Sequence, residues 1–216
     1  MRLRKIKGAH DLLDKYEGIV VANPTNYKGK WNQVFGNDNP IHIEIGCGKG
    51  QFVFNMAKNY PNINFIAIEK YDSVLIRALE KFVDKEFDNV KLVLFDAFEL
   101  VNLFDYEIDT LYLNFSDPWP KVKHSKRRLT HNNFLNKYKN IVKKDIIFKT
   151  DNLELFNYSL ESITDFGMHI TSKTNDLHKK EVSNIMTEFE EKFSSLGIKI
   201  NRLVARFEKV EENHEE

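Results

Sequence analysis

The stretch PIHIEIGCGKG, residues 40–50, places three closely spaced glycines directly after a short apolar run. The run IHIEI has the composition of a β-strand, and the residues after the glycines begin a segment with helical spacing of its apolar positions. Glycines at a strand-to-helix turn let a ligand approach the backbone, while the N–H groups of the first helical turn point outward. The stretch therefore predicts the first βα unit of an α/β fold, with a ligand site at the turn.

The rest of the chain repeats this alternation of strand and helix. Short apolar, β-rich runs form the strand candidates, at residues 41–45, 63–69, 90–96, 109–115 and 145–150. Between them, segments with apolar residues three and four apart form the helix candidates, at residues 50–60, 71–87, 130–144 and 152–166. A strand, a polar segment, a helix and a last strand follow, which suggests extra strands on one sheet edge. The pattern predicts a Rossmann-like, doubly wound, mainly parallel sheet.

The first part of the chain has a different character from the rest. Residues 1–38 show no strong period, and Pro24, Gly29 and Gly36 punctuate them. We therefore expect an N-terminal arm, partly mobile, over residues 1–38 and one domain over residues 39–216.

Composition and charge exclude several classes of protein. The 216 residues are 42% hydrophobic and 30% charged, the balance of a globular protein that folds by itself. Lysine plus arginine equal aspartate plus glutamate at 32 each, so any affinity for nucleic acid must be local. The basic N-terminus lacks the apolar core of a signal peptide and no apolar run is long enough for a bilayer, so we expect a cytoplasmic protein without a membrane segment. One cysteine and scattered histidines predict no metal site.

Carboxylates lie at the ends of the predicted strands near the glycine turn. Gly46, Gly48 and Gly50 make GxGxG, whereas the dinucleotide motif GxGxxG would need glycine at Gln51, which disfavours a dehydrogenase. Glu69, at the end of the second strand, suits the ribose of either NAD or S-adenosylmethionine. Glu44 favours the second cofactor, because a carboxylate under the loop suits a cationic amino-acid tail better than a pyrophosphate. Asp96, at the end of the third strand, is expected near the adenine.

A second motif, NFSDPWPKVKHSKRRL at residues 114–129, sets an acidic turn beside five basic side chains. The turn follows the fourth strand at the sheet edge where ligands of α/β folds bind, so Asp117 is expected to face the cofactor. Pro118 and Pro120 make the turn rigid. Trp119 is equally compatible with stacking on a base and with the core. The basic run is suited to phosphate contacts. The alternative, a solvated surface loop, is disfavoured because the run borders the predicted cofactor pocket.

Four motifs carry a resemblance to a known family. EIGCGKG, NFSDPWPKVKHSKRRL, FKTDN and TNDLH…NIMTEFEEKF…GIKINRL together resemble the tRNA (guanine-N7-)-methyltransferases, over about residues 30–204. The resemblance implies the class I methyltransferase fold with its mainly parallel seven-stranded sheet. It also implies S-adenosylmethionine as cofactor, tRNA as partner, and methylation of a guanine in the variable loop.

The resemblance also implies a role for particular residues. The cofactor residues are Glu44, Gly46, Gly48, Glu69, Asp96 and Asp117, of which Asp117 is also catalytic. The substrate residues are Lys121, Asp151, Thr187 and Glu190, and the RNA-binding residues are Lys123, His124, Lys126, Arg127 and Arg128. Glu190 or Asp151 would accept hydrogen bonds from guanine N1–H and its amine. Thr187 also reads as a helix N-cap, since TEFE is a capping box.

Two positions depart from the family pattern, and other functions stay open. Val122 stands where the family often has another basic residue, and Phe189 lacks the hydroxyl of the family's TEYE tyrosine. A methyltransferase acting on another RNA atom or substrate is the nearest alternative. A non-catalytic RNA-binding module is a second alternative, which the set of carboxylates disfavours. Both a monomer and a homodimer are compatible with the sequence.

Overall fold

A seven-stranded sheet forms the centre of the fold, and the computed structural model describes residues 6, 8–179 and 183–208. The strands are β1 (Ile41–Ile45), β2 (Asn64–Glu69), β3 (Val90–Leu94), β4 (Ile108–Asn114), β5 (Val142–Thr150), β6 (Met168–Thr174) and β7 (Asn201–Phe207). Their order is β3-β2-β1-β4-β5-β7-β6. The first five strands run parallel, while β7 is antiparallel to both β5 and β6. This confirms the predicted mainly parallel, doubly wound sheet with extra strands on one edge.

The described residues form eight α-helices, two before β1 and six between strands. They are α1 (Ala9–Leu13), α2 (Trp31–Phe35), α3 (Gln51–Asn59), α4 (Asp72–Leu79), α5 (Leu100–Leu103), α6 (Asn132–Lys139), α7 (Leu153–Asp165) and α8 (Glu188–Ser195). Helices α3, α4, α6 and α7 each bury an apolar face; α3, for example, buries Phe52, Val53, Met56 and Ala57.

Two helices are shorter than their apolar spacing indicates. The helix predicted over 71–87 ends at Leu79. The apolar spacing continues beyond it because Phe82 and Val83 pack into the core from the turns that follow. The helix predicted over 130–144 ends at Lys139, and β5 begins at Val142 rather than at residue 145. The exposed residues Lys143 and Lys144 belong to the strand, where the Lys144 ammonium pairs with Asp109 at 2.8 Å. Lysine favours helices and is depleted in strands, so the two lysines at the solvated start of β5 extend the predicted helix beyond its observed end.

Each face of the sheet has its own apolar core. Leu111 and Leu113 of β4 pack in one core with Phe134 of α6 and Phe156 of α7. Tyr112, between the two leucines, points to the other core, which α3 and α4 cover. Adjacent residues of a strand face opposite sides, so both layers of helices are needed to bury a parallel sheet of this kind.

The chain before β1 packs on the sheet over its described part. The Val21 N–H donates to the Leu92 carbonyl at 3.0 Å, and the Leu92 N–H donates to the Ile19 carbonyl at 2.8 Å. These bonds cover the outer edge of β3. Trp31 is fully buried, and its indole N–H donates to the Leu103 carbonyl at 2.9 Å. The division into an arm and a domain at residue 38 stays a prediction, and residues 1–5 and 7 lie outside the described part.

The carboxyl ends of β1 to β5 lie on the same side of the sheet, since these strands are parallel. This side is called the carboxyl edge, as distinct from the outer strands of the sheet. The glycine loop, the DPWP turn and the TDN segment after β5 all lie there. Helix α8 lies at the same edge, because it precedes β7, which begins there opposite the end of β5. None of the helices in the described ranges is long and apolar enough to span a bilayer.

Candidate active site

Three alternate residues of the glycine loop adopt left-handed backbone conformations. Gly46, Gly48 and Gly50 have φ angles of 72°, 57° and 72°. A side chain is strained at such angles, so only glycine adopts all three readily. A Cβ at Gly50 would lie 2.9 Å from the Ala78 Cβ, so this glycine allows the loop to approach α4 closely. A Cβ at Gly46 or Gly48 would meet open space, so those two glycines leave the backbone accessible to a ligand.

Glu44 is a buried carboxyl group with one unoccupied oxygen. The residue is 4% exposed, and its Oε1 accepts a hydrogen bond from Asn114 Nδ2 at 2.9 Å. Its Oε2 is buried and has no hydrogen-bond partner among the described residues. Burial raises the pKa of Glu44 to about 8, although the Asn114 bond and the Lys149 charge oppose the rise. A buried acceptor without a donor is costly, so the site fits a ligand that brings a donor or a positive charge.

Glu69 ties the glycine loop to the end of β2. Its Oε1 accepts from the backbone N–H groups of Lys70 at 2.9 Å and Tyr71 at 3.1 Å, and its Oε2 accepts from Gly48 N–H at 3.3 Å. Burial raises the pKa of Glu69, and the three backbone bonds oppose that rise. A carboxylate has about four acceptor positions, so capacity for a ligand hydroxyl remains.

Asp96 lines a cleft beside the end of β3. Its Oδ1 accepts from the Phe98 N–H at 2.9 Å and caps the short turn that follows. The cleft has a volume of about 560 Å³, and its lining residues are Lys70, Tyr71, Leu94, Phe95, Asp96 and Glu99. Asp96 therefore borders one space with Lys70 and Tyr71, which directly follow Glu69 at the end of β2.

The DPWP turn presents an exposed carboxylate on a constrained backbone. Within the described residues, the Asp117 side chain makes no hydrogen bond or ion pair, and it faces solvent. Phe115 and Trp119 on either side have φ angles of 52° and 43°, which is uncommon for residues with a side chain. Asn114, which bonds to Glu44, precedes the turn, so the carboxylates of β1 and β4 lie at neighbouring strand ends.

The basic run forms a short 3₁₀ segment over Val122–Arg127. Lys121, Lys123, Lys126 and Arg127 are exposed, and none of them forms an ion pair with a described residue. The Arg127 guanidinium lies 4.8 Å from the centroid of the Trp119 ring, and the His124 ring meets the same indole edge-on at 5.8 Å. Trp119 is therefore half-buried under its own loop. Arg128 is the exception in this run, because its guanidinium points back to the turn.

Glu190 lies in an internal network. It is 0% exposed, and its Oε2 accepts from Lys149 Nζ at 2.6 Å. Its Oε1 accepts from Asn184 Nδ2 at 2.6 Å and lies 3.3 Å from His178 Nε2. Burial lowers the pKa of Lys149, and the Glu190 charge opposes that shift. Sequence reasoning missed Lys149, although a lysine near the end of the apolar run DIIFKT signals a buried cation that needs a partner.

Thr187 and Asp151 lie at the same edge of the sheet. The Thr187 Oγ1 accepts from the Glu190 N–H at 3.0 Å and caps α8, which confirms the N-cap interpretation. The return bond of a capping box is absent among the described residues, because the Glu190 carboxylate is engaged by Lys149 and Asn184. Asp151 is half-buried directly after β5, next to Asn152, which caps α7.

Helix α8 connects the glycine loop to the DPWP turn, which sequence reasoning did not foresee. The Glu188 carboxylate lies 3.3 Å from Lys49 Nζ of the loop and 3.6 Å from Lys81 Nζ. The Phe189 ring stacks on Phe115 with a centroid distance of 6.3 Å and remains 55% exposed. The described residues contain no group of three histidine, cysteine, aspartate or glutamate side chains that could hold a metal ion.

Comparison with known sequences adds to this geometry. Residues 38–203 match the protein family described as "Putative methyltransferase". The tRNA (guanine-N(7)-)-methyltransferase of Lachnoclostridium phytofermentans is 53% identical over 214 residues, which make up 97% of this chain and 100% of that protein. The protein of the same name from Bacillus subtilis is 52% identical over 206 residues, with coverage of 94% and 97%.

Solved structures agree at the level of the fold. The 16S rRNA methyltransferase KamB matches with a TM-score of 0.63 and 12% identity, over 82% of this chain and 91% of that chain. A 16S rRNA (adenine(1408)-N(1))-methyltransferase from Catenulisporales acidiphilia, solved with its cosubstrate S-adenosylmethionine, has a TM-score of 0.61 at 13% identity over 88% and 93% of the two chains. The sheet described above is thus the class I methyltransferase fold.

Proposed function

Because the chain belongs to the tRNA (guanine-N7-)-methyltransferase family, we propose that it transfers a methyl group from S-adenosylmethionine to N7 of a guanine in the variable loop of tRNA. One observation carries the proposal: Glu44 keeps a buried, unpaired carboxylate oxygen beneath an open glycine loop, at the strand end next to the exposed Asp117 turn. The proposed compartment is the cytoplasm.

The residues of the loop and strand ends fit the cofactor. Glu44 Oε2 would accept a hydrogen bond from the amino group of the cofactor, since no described residue donates to this oxygen. Gly46 and Gly48 would let its amino-acid tail lie against the backbone, and Glu69 would accept from the ribose hydroxyls. Asp96 would border the adenine in the cleft after β3. When bound, the cofactor supplies an electrophilic methyl group on a sulfonium.

The reaction requires little proton transfer by the protein. Guanine N7 has an in-plane lone pair and no proton, so it would attack the methyl carbon without a general base while the carbon–sulfur bond breaks and the neutral thioether leaves. The ring becomes cationic during transfer, and a fixed carboxylate beside it stabilises charge that develops only then. We assign that role to Asp117, whose carboxylate is exposed in the turn after β4 and makes no ion pair with a described residue.

Substrate contacts are proposed on both sides of Asp117. Lys123, His124, Lys126 and Arg127 would contact phosphates. Lys121, Asp151, Thr187 and Glu190 are the proposed substrate residues. Both oxygens of the Glu190 carboxylate already accept hydrogen bonds, from Lys149 and Asn184. Glu190 would therefore affect guanine selection indirectly, because it fixes the position of α8. Asp151 then is the carboxylate left for the guanine N1–H edge.

The test is transfer of labelled methyl from S-adenosylmethionine to unmodified tRNA transcripts, followed by nucleoside analysis. We expect 7-methylguanosine with the wild-type protein and a loss of about 100-fold in rate with Asp117→Asn. Asp84→Asn, an exposed aspartate in the turns after α4, is the matched control and should leave the rate unchanged. Label in a nucleoside other than 7-methylguanosine would contradict the proposed substrate, and an active Asp117→Asn variant would contradict the proposed role of Asp117.

A further inference from the structure

Arg128 ends the basic run, yet its guanidinium points into the protein. Its Nε donates to the Pro118 carbonyl at 3.1 Å, and its Nη2 donates to the Trp119 carbonyl at 3.1 Å. The Cζ atom lies 4.2 Å from the centroid of the Tyr158 ring on α7. We propose that Arg128 is a positioning residue that fixes the turn carrying Asp117, instead of a contact to RNA phosphate. The inference rests on the proposed function of that turn.

The turn needs such a support because its own backbone cannot supply one. Pro118 and Pro120 have no N–H group, and residues 116–120 make no backbone-to-backbone hydrogen bond within the described part of the chain. Trp119 also has a φ angle of 43°, a conformation that persists in residues with a side chain only where the surroundings hold it. Arg128 holds the carbonyl groups on both sides of that residue's N–Cα bond.

Arginine is suited to this role in a way that lysine is not. The planar guanidinium presents two donors in a fixed fork, which matches the two consecutive carbonyls, and its flat face stacks on an aromatic ring. Tyr158 supplies that ring from a helix whose neighbours Leu155 and Phe156 are buried in the core. The turn is thereby connected to a rigid part of the fold.

Arg127 provides a comparison in the adjacent position. Its side chain is exposed, lies over the Trp119 ring at 4.8 Å, and makes no ion pair with any described residue. It is therefore free to meet a phosphate, whereas the hydrogen-bonding groups of Arg128 are engaged within the protein. Two neighbouring arginines of equal charge thus have different predicted roles.

The experiment separates binding from chemistry in Arg127→Ala, Arg128→Ala and Arg128→Lys. tRNA affinity is measured between 50 and 200 mM salt. The slope of log K against log[salt] is negative, and each lost phosphate contact reduces its magnitude by about 0.9. The single-turnover rate of methyl transfer is measured at saturating tRNA. We expect Arg127→Ala to make the salt dependence of tRNA binding less steep, as the loss of a phosphate contact does. We expect Arg128→Ala to keep the slope and lower the rate by about tenfold or more, because a displaced catalytic group loses its orientation.

Arg128→Lys distinguishes the two roles further. Lysine substitutes well for a phosphate contact but cannot span two carbonyls and stack on Tyr158, so we expect the rate of Arg128→Lys to stay well below that of wild type. Tyr158→Phe should keep the rate and Tyr158→Ala should lower it, which tests the inference even if Arg128→Ala does not fold. A reduced salt slope in Arg128→Ala, with an unchanged single-turnover rate, would overturn the inference. Failure of the proposed function would show differently, as a wild-type protein that forms no 7-methylguanosine.

Discussion

At the scale of single residues, Glu44 connects the protein's electrostatics to its proposed ligand. The carboxyl group is neutral below about pH 8 because burial raises its pKa, and Oε2 accepts no hydrogen bond from the part of the chain that the structure describes. A cationic amino group placed against that oxygen favours the ionised form and lowers the pKa of Glu44. Binding of S-adenosylmethionine at pH 7 should therefore release a proton from Glu44.

Calorimetric titration in two buffers with different ionisation enthalpies measures that proton. We expect close to one proton released at pH 7 and an affinity that rises with pH until about 8. Glu44→Gln should bind the cofactor at least about tenfold more weakly and release no proton. Glu86→Gln, an exposed glutamate in the turns after α4, serves as control. An affinity that is constant between pH 6 and pH 8 would rule out the coupling.

The same pKa predicts the effect of Glu44 on stability. The group has a pKa of about 8 in the folded protein and 4.5 as the ordinary value, so the unfolded chain binds fewer protons between these two limits. The free energy of unfolding therefore falls as pH rises from 4.5 to 8, by roughly 5 kcal/mol at most for this group. Glu44→Gln should raise the melting temperature of the ligand-free protein at pH 8 and change it little at pH 5. Equal shifts at both pH values in thermal unfolding would contradict this.

The residue scale also shows where sequence reasoning reaches its limit. Glu44, Glu69 and Asp117 could be predicted to lie at one side of the sheet because each is at or just after the carboxyl end of a recognisable strand, and parallel strands end on the same side. The inward orientation of the Arg128 side chain could not be predicted, because Tyr158 lies far along the chain and the residues of the basic run look alike in the sequence. Contacts between distant residues decide which member of a charged run turns inward.

At the scale of elements, Gly50 sets how closely α3 and α4 approach. It has a φ angle of 72°, and an added Cβ would lie 2.9 Å from the Ala78 Cβ. Gly50→Ala should lower the free energy of unfolding by about 2 kcal/mol, from the left-handed backbone and the overpacking together. Gly18→Ala is the matched control, since Gly18 has no positive φ and an added Cβ would meet nothing within 4 Å. Chemical denaturation measures both variants, and equal effects would contradict the packing argument.

Helix α8 is held by the buried pair of Lys149 and Glu190, which are 2% and 0% exposed. Removing one partner leaves an uncompensated buried charge, so Lys149→Met should destabilise the protein by roughly 3 kcal/mol or more. The double variant Lys149→Met with Glu190→Met should cost less than the sum of the single changes. For the exposed pair of Arg77 and Glu80, Arg77→Ala should cost less than about 1 kcal/mol. Additive costs at the buried pair would show that the two side chains act independently.

The elements also show why the strands were easier to predict than α8. Apolar runs define β1 to β4 within about two residues, because both faces of a parallel sheet are buried. Helix α8 is found from its spacing and its cap, yet its position depends on Glu188, Phe189 and Glu190 meeting partners from three other parts of the chain. Such partners have no local signature.

At the scale of the whole molecule, the formal net charge is zero, so tRNA affinity must come from where the charges lie. Lys123, Lys126 and Arg127 are exposed beside the DPWP turn, whereas Lys137, Lys139 and Lys143 lie in α6 and at the start of β5, near the opposite edge of the sheet. Replacing either set with alanine changes the net charge equally. Only the first set should reduce the salt slope of tRNA binding, by about 0.9 for each phosphate contact removed. Equal loss in both variants would mean that overall charge, and not the basic run at the active edge, attracts the tRNA.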